Sequence, residues 1–123
     1  MALSRKYFDL CGLLDEGTFL YFEESIIASK AKNTELLSCI LPQSTILHKS
    51  SVSIGNPNSA FSRYHRYFSS MYMLKKYVGI NNFKLLIIGF INLLPLAINS
   101  INNKSYRYYF KQLLIDIISL WKL

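Results

Sequence analysis

Apolar and polar residues follow one another with the spacing of amphipathic helices in three parts of the chain. Ser4 before residues 5–11 predicts a short helix that ends at Gly12. Residues 23–32 predict a second helix, with lysines in its last turn where the helix dipole favours positive charge. From residue 60 to 78, large apolar side chains recur at i, i+3, i+7 and i+10, which predicts a longer amphipathic helix.

The region between these helices has a different pattern. Residues 36–41 form a continuous apolar run (LLSCIL) that stops at Pro42, which is typical of a buried strand. Residues 45–48 predict a second short strand, and a polar loop rich in turn residues follows. Two short strands ahead of a helical region predict an α/β fold.

The most apolar stretch of the chain is residues 83–98, which Lys84, Asn92 and Pro95 interrupt. A helix that spans a membrane needs about 20 apolar residues, so this stretch is too short to span comfortably. The pattern favours a re-entrant or interfacial helix, or a helix buried against a neighbour.

A final helix is predicted over residues 106–123. One side of it carries the apolar side chains of Tyr106, Tyr109, Leu113, Ile117 and Leu120. Basic residues off this face and Trp121 near the end are typical of a helix that lies in a membrane interface. A helical hairpin packed on the rest of the protein is the open alternative.

The net charge of +7 is unevenly distributed. Residues 1–59 hold five Lys and Arg against six Asp and Glu, a balance of −1, whereas residues 60–123 hold nine against one, a balance of +8. A basic half rich in Ile, Leu, Tyr and Phe favours an anionic membrane surface over nucleic acid. The aromatics between Arg and Lys in residues 61–77 keep RNA binding as an alternative.

The cysteines and one histidine offer little site chemistry. Cys11 and Cys39 lie in apolar contexts without a CxxC pattern, so we expect two buried, reduced thiols of a cytosolic protein, with a disulfide as the alternative. His65 has no partner at metal-binding spacing and is expected at the surface. No apolar signal core follows Met1, and a secretory signal peptide is not expected.

Residues 12–24 (GLLDEGTFLYFEE), here called the acidic segment, concentrate the candidate chemistry. They hold four of the seven acidic residues, namely Asp15, Glu16, Glu23 and Glu24, with three aromatics between the two pairs. Paired carboxylates beside apolar walls suit a general base or a metal–phosphate site, because burial and like charge raise a carboxyl pKa. The alternative is that Glu23 and Glu24 are ordinary first-turn acids of the helix they begin.

The acidic segment, together with residues 46–49 (ILHK) and 51–53 (SVS), resembles the C-terminal half of the catalytic domain of family 2 glycosyltransferases. The resemblance is to the rhamnosyl- and galactosyltransferase-like branch, which builds bacterial surface polysaccharides such as O-antigen. It implies an α/β fragment, the C-terminal part of a GT-A-like domain with two short strands, followed by a mainly α-helical region. Residues 1–58 would be the acceptor-side part of the catalytic domain, and residues 59–123 a basic, amphipathic helical region.

The same resemblance implies roles for six residues. Glu24 corresponds to the base that deprotonates the acceptor hydroxyl during inverting transfer, although the family usually has Asp there, and Glu23 is the alternative base. Asp15 and Glu16 would orient the acceptor. His48 would lie close to the donor diphosphate and its metal ion, as a possible ligand, and Lys49 would contact a phosphate.

The donor-binding half of such an enzyme is missing from this sequence, which contains no Asp-x-Asp. We therefore expect a truncated enzyme that is inactive alone. In the intact enzyme the resemblance implies a divalent metal (Mg or Mn), which this chain alone is not expected to bind, a nucleotide-sugar donor and a glycan or lipid-linked acceptor. The expected location is cytoplasmic, peripheral to the inner face of the cell membrane, without nucleic acid. The alternative function is a small membrane-peripheral interaction protein without catalysis.

Overall fold

The computed structural model describes residues 1–47 and 55–123, and helices form all the regular structure of this part of the chain. A π-helical turn, Leu74–Val78, directly continues the third helix and ends at Gly79, whose φ of 75° is left-handed. The five α-helices are α1 (Arg5–Cys11), α2 (Glu23–Ala31), α3 (Ala60–Met73), α4 (Asn82–Ser100) and α5 (Lys104–Leu120).

Short polar residues start most of these helices. In each case the side chain accepts a hydrogen bond from a backbone N–H of the first turn, which otherwise has no intrahelical partner. The pairs are Ser4 with Tyr7, Ser59 with Ser62, Asn81 with Lys84, and Asn103 with Ser105. The first residues of these helices can therefore be predicted from the neighbouring sequence, as Ser4 predicts the start of α1.

The core lies where α3, α4 and α5 pack together, and α2 adds one side chain to it. Met71, Leu85, Leu96 and Leu113 are completely buried, and Ile26 of α2 joins the same cluster. Gly89 brings α4 close to α5: a Cβ at this position would lie 3.0 Å from Cδ1 of Ile117.

The predicted α/β fold is wrong. Residues 36–41 have no regular secondary structure, and residues 45–47 have none either, while His48 at the end of the second predicted strand lies outside the described residues. Leu37 is 94% exposed and Ile40 90% exposed, so the apolar run is not buried. A strand needs a neighbour to pair its N–H and C=O groups, and the described residues supply no other strand.

The C-terminal helices differ from the prediction in two ways. α4 extends over 19 residues, longer than the predicted apolar stretch 83–98, and includes Pro95. On α5, Leu113, Ile117 and Leu120 are buried in the core, so the side predicted for a membrane interface packs against the other helices. This arrangement matches the alternative of a helical hairpin.

The cysteines also differ from the prediction. Cys11 is half-buried, and its Sγ lies 3.6 Å from the carbonyl oxygen of Lys30, where α1 meets α2. Cys39 is exposed, because residues 36–41 are not part of the core. Both cysteines are free.

Candidate functional site

The acidic segment lies along α3, so residues far apart in sequence form one site. Ser69 Oγ donates a hydrogen bond to the carbonyl of Leu20 at 2.6 Å. One turn earlier on α3, the guanidinium of Arg66 lies 5.1 Å from the ring centroid of Tyr21, a cation–π contact. These contacts fix the backbone just before α2 begins.

Asp15 anchors the other end of the acidic segment. Its carboxylate accepts hydrogen bonds from the backbone N–H of Gly17 (2.7 Å), from Tyr72 Oη (2.8 Å), from Lys76 Nζ (2.9 Å) and from Tyr77 Oη. Burial alone would raise the pKa of this carboxyl, but the hydrogen bonds from Tyr77, Lys76, Gly17 and Tyr72 outweigh burial and hold the pKa well below its ordinary value. Asp15 is therefore ionised at neutral pH.

The pKa values of the side chains that contact Asp15 are raised, the opposite of the change in Asp15 itself. Hydrogen bonds to Tyr72 and Asp15 raise the pKa of Lys76, and burial together with the Asp15 carboxylate raises the pKa of Tyr77 to about 12. The cluster thus holds one carboxylate, one ammonium and two neutral phenols. With four donors already in place, Asp15 fixes the acidic segment to the helices and has little capacity left to orient an acceptor.

The entry to α2 is conformationally unusual. Tyr21 (φ 67°) and Phe22 (φ 68°) both have left-handed backbone conformations, which cost bulky residues about 1–3 kcal/mol each. Phe22 occupies the N-cap position but has no polar side-chain atom to cap the helix. Glu23 and Glu24 follow immediately, in the first turn of α2.

Glu24 faces a groove, here called the α2 groove, with a volume of about 840 Å³. The start of α1, one side of α2 and residues 36–46 form its walls, which are mostly apolar. Glu24 supplies the only acidic side chain among the described residues that line it. A volume of this size lies within the range of about 300–1,000 Å³ that is usual for small-molecule sites.

Glu23 lines a different cavity, of about 80 Å³, together with Asp15 and Thr18. A water molecule takes up about 30 Å³, so this cavity admits a few waters but no sugar. Of the two candidate bases, only Glu24 therefore opens onto a space of substrate size.

The structure brings only some of the predicted site residues together. Asp15 and Glu23 share the small cavity, Glu24 lines the α2 groove, and Glu16 is exposed and lines neither. His48 and Lys49, predicted to contact the donor diphosphate, lie outside the described residues.

Sequence reasoning missed the partners of Asp15 on α3 and its π-helical turn. Tyr72 and Tyr77 lie 57 and 62 positions from Asp15, so no local pattern links them to it. The only signal was the division of the chain into an acidic first half and a basic second half. His65, expected at the surface, instead packs between Phe61 (4.5 Å between ring centroids) and Phe19 (5.2 Å).

The described residues do not fit a divalent metal. No three His, Cys, Asp or Glu side chains among residues 1–47 and 55–123 come close enough to hold one. The Asp15 carboxylate, whose side chain is 7% exposed, already accepts hydrogen bonds from Lys76 and three other donors.

Comparison with known proteins adds no further constraint: no family model, no curated protein and no solved structure matches this chain.

Proposed function

We propose that this chain is the acceptor-side part of an inverting family 2 glycosyltransferase, with Glu24 as the general base. The observation that carries the proposal is that Glu24 is exposed to the α2 groove, which has the volume of a small-molecule site. The proposal also uses the resemblance of the acidic segment and residues 46–53 to that family. Intact enzymes of this kind build bacterial surface polysaccharides from nucleotide sugars.

In the proposed reaction, the Glu24 carboxylate takes the proton from an acceptor hydroxyl. The hydroxyl oxygen then attacks the anomeric carbon of the donor sugar, and the bond from that carbon to the nucleoside diphosphate breaks. General-base assistance of this kind contributes about 10²–10⁴-fold to a rate. The apolar wall of the groove suits an acceptor that carries a lipid or another apolar group beside its sugar.

Glu24 is preferred to Glu23 because of the space each one faces. The walls of the α2 groove near Glu24 include Tyr7 of α1 and Ala28 of α2, which lies one helical turn after Glu24. The cavity at Glu23 is about ten times smaller. The two glutamates therefore form a matched pair for experiment, adjacent in sequence and equal in charge.

Acceptor binding tests the proposal on the chain as it exists. Short alkyl glycosides, below their micelle concentration, should bind in NMR titrations and shift the signals of residues that line the α2 groove. Ala28→Trp, which fills the groove, should abolish binding, and Glu24→Gln should weaken it several-fold while Glu23→Gln leaves it unchanged. If no glycoside binds, or if Glu23→Gln and Glu24→Gln behave alike, the acceptor-site proposal fails.

The chain contains no Asp-x-Asp, so it should not transfer sugar from nucleoside diphosphate sugars by itself. Measurable transfer by the purified 123-residue protein would contradict the proposal that this chain is only the acceptor-side part of the enzyme.

A further inference from the structure

The outer face of α4 is a continuous apolar stripe that no other described part of the chain covers. Its residues recur at intervals of three and four, so they line one side of the helix. They are Phe83, Ile87, Phe90, Leu94 and Ile98 of α4 and Ile101, which directly follows the helix, each between 45% and 71% exposed. At 1.5 Å per residue, the stripe is about 27 Å long.

The stripe is exposed although α4 is well packed on its opposite side. On its other side α4 buries Leu85, Gly89 and Leu96 against the rest of the helical bundle. α4 is also the helix in the described part of the chain that is long and apolar enough to cross a membrane by length and composition, with a mean hydropathy of 1.7 and only 17% of it buried. An exposed apolar surface of this extent on a folded unit marks an interaction site.

Positive charge stands at both ends of the stripe. Lys84 follows Phe83 directly in the first turn and is exposed. At the other end, Nη2 of Arg107 donates hydrogen bonds to the carbonyl groups of Ser100 (3.4 Å) and Ile101 (3.2 Å), which places its guanidinium beside the last stripe residue. An apolar stripe with a cation at each end fits a surface that is apolar inside and anionic at its boundary.

The same region presents no free carboxylate to oppose such a surface. Asp116 is the only acidic residue after position 59. Its carboxylate accepts hydrogen bonds from Tyr64 Oη at 2.6 Å and from Gln112 Nε2 at 3.1 Å, which hold it toward α3. The charged side chains that stand at the two ends of the α4 stripe, Lys84 and Arg107, are both positive, and each Lys or Arg near anionic lipid adds about 1 kcal/mol of attraction.

We propose that the α4 stripe is a docking surface for an anionic lipid bilayer, with α4 lying in the interface and Lys84 and Arg107 at the level of the headgroups. An interfacial helix was one expectation for residues 83–98 and the favoured one for residues 106–123. Because the apolar face of α5 is core, the assignment rests on α4 alone. It is independent of glycosyl transfer, so its failure would leave the Glu24 experiments unaffected.

Vesicle co-sedimentation of the full chain tests the proposal, with phosphatidylcholine vesicles that contain 0 or about 30% phosphatidylglycerol, a composition chosen to resemble an anionic leaflet. The protein should bind the anionic vesicles and bind the neutral ones at least tenfold more weakly. Phe90→Glu with Ile98→Glu should reduce binding at least tenfold. The matched control is Leu10→Glu with Leu13→Glu, which changes two exposed apolar residues (52% and 81%) outside α4 and should bind like the wild type.

Two further measurements separate lipid from other occupants. Lys84→Glu with Arg107→Glu should remove the preference for anionic vesicles, and circular dichroism should show that all variants keep their helix content. The proposal is overturned if the wild type ignores anionic vesicles or if the Phe90 and Ile98 variant binds them normally. It is equally overturned if the wild type is a stable dimer in solution that this variant converts to a monomer, because the stripe would then be a protein interface.

Discussion

The ammonium of Lys76 lies 2.9 Å from the carboxylate of Asp15, across 61 positions of sequence. The Asp15 side chain is only 7% exposed, whereas that of Lys76 is 42% exposed. The Asp15 end of the pair is therefore buried and the Lys76 end is open to solvent. The hydroxyls of Tyr72 and Tyr77 donate hydrogen bonds to the buried carboxylate. Through this contact the acidic segment is attached to α3 and its π-helical turn.

Asp15→Ala should lower the free energy of unfolding by about 2–4 kcal/mol, because it removes the charge partner of Lys76 and the acceptor of the Tyr72 and Tyr77 hydroxyls. Urea unfolding at pH 7, followed by circular dichroism, measures the change. Asp9→Ala is the control: Asp9 pairs with Arg5 at 3.7 Å on an exposed helix face, so its loss should cost less than about 0.5 kcal/mol. Equal effects of the two substitutions would show that the Asp15 cluster is not a structural anchor.

The stabilisation by Asp15 should depend on pH in the acid range. Its pKa is lower in the folded protein than the value of about 3.9 expected in the unfolded chain. The contribution is therefore fully present above that value and is lost as the pH falls below it toward the folded pKa. Between pH 5 and pH 2, the wild type should lose more stability than Asp15→Ala, and parallel curves would refute the assignment.

His65 should produce a second pH dependence, nearer to neutrality. Burial lowers its pKa, and its Nδ1 has no hydrogen-bond partner among the described residues. The unfolded chain, with a His pKa of about 6.5, takes up a proton before the folded protein does. Stability should therefore be full above pH 6.5 and decline as the pH falls below it. His65→Phe, which keeps the aromatic packing, should flatten this part of a melting-temperature profile, and an unchanged slope would contradict the prediction.

Gly17 is required for the Asp15 cluster to form. A Cβ added there would overlap the ring of Tyr72, which is held against Asp15. Gly17→Ala should cost about 1–3 kcal/mol of stability, the usual range for overpacking. In a Tyr72→Ala background the same substitution should cost much less, and a double-mutant cycle in urea measures the difference. Additive effects would show that Gly17 and Tyr72 do not interact.

The sequence predicted α1, α2 and α3 because their signals are local. Ser4 and Ser59 cap the first turns of their helices, and the apolar spacing of residues 60–78 repeats over several turns. The predicted apolar stretch, residues 83–98, lies within α4 and includes Pro95, although a proline inside a helix costs about 3 kcal/mol. Packing of α4 against α3 and α5 offsets that cost, and single-sequence reasoning does not see this packing.

Residues 36–41 show why the predicted strands failed. An apolar run indicates a buried strand only if another strand is present to pair with it, and the run itself carries no information about such a partner. Similarly, the concentration of acids predicted site chemistry at residues 12–24. It did not indicate that Asp15 would be engaged by Tyr77 and Lys76 while Glu24 stays open to the α2 groove.

The π-helical turn Leu74–Val78 determines which side chains can reach Asp15. In an α-helix, neighbouring residues such as Lys76 and Tyr77 point about 100° apart. The wider turn, with hydrogen bonds from i to i+5, lets Tyr77 and Lys76 meet the same carboxylate. Loss of one codon from this turn would narrow it to an α-helix and rotate one of the two away. Deletion of one residue from this turn is therefore expected to weaken the attachment of the acidic segment to α3 and the turn.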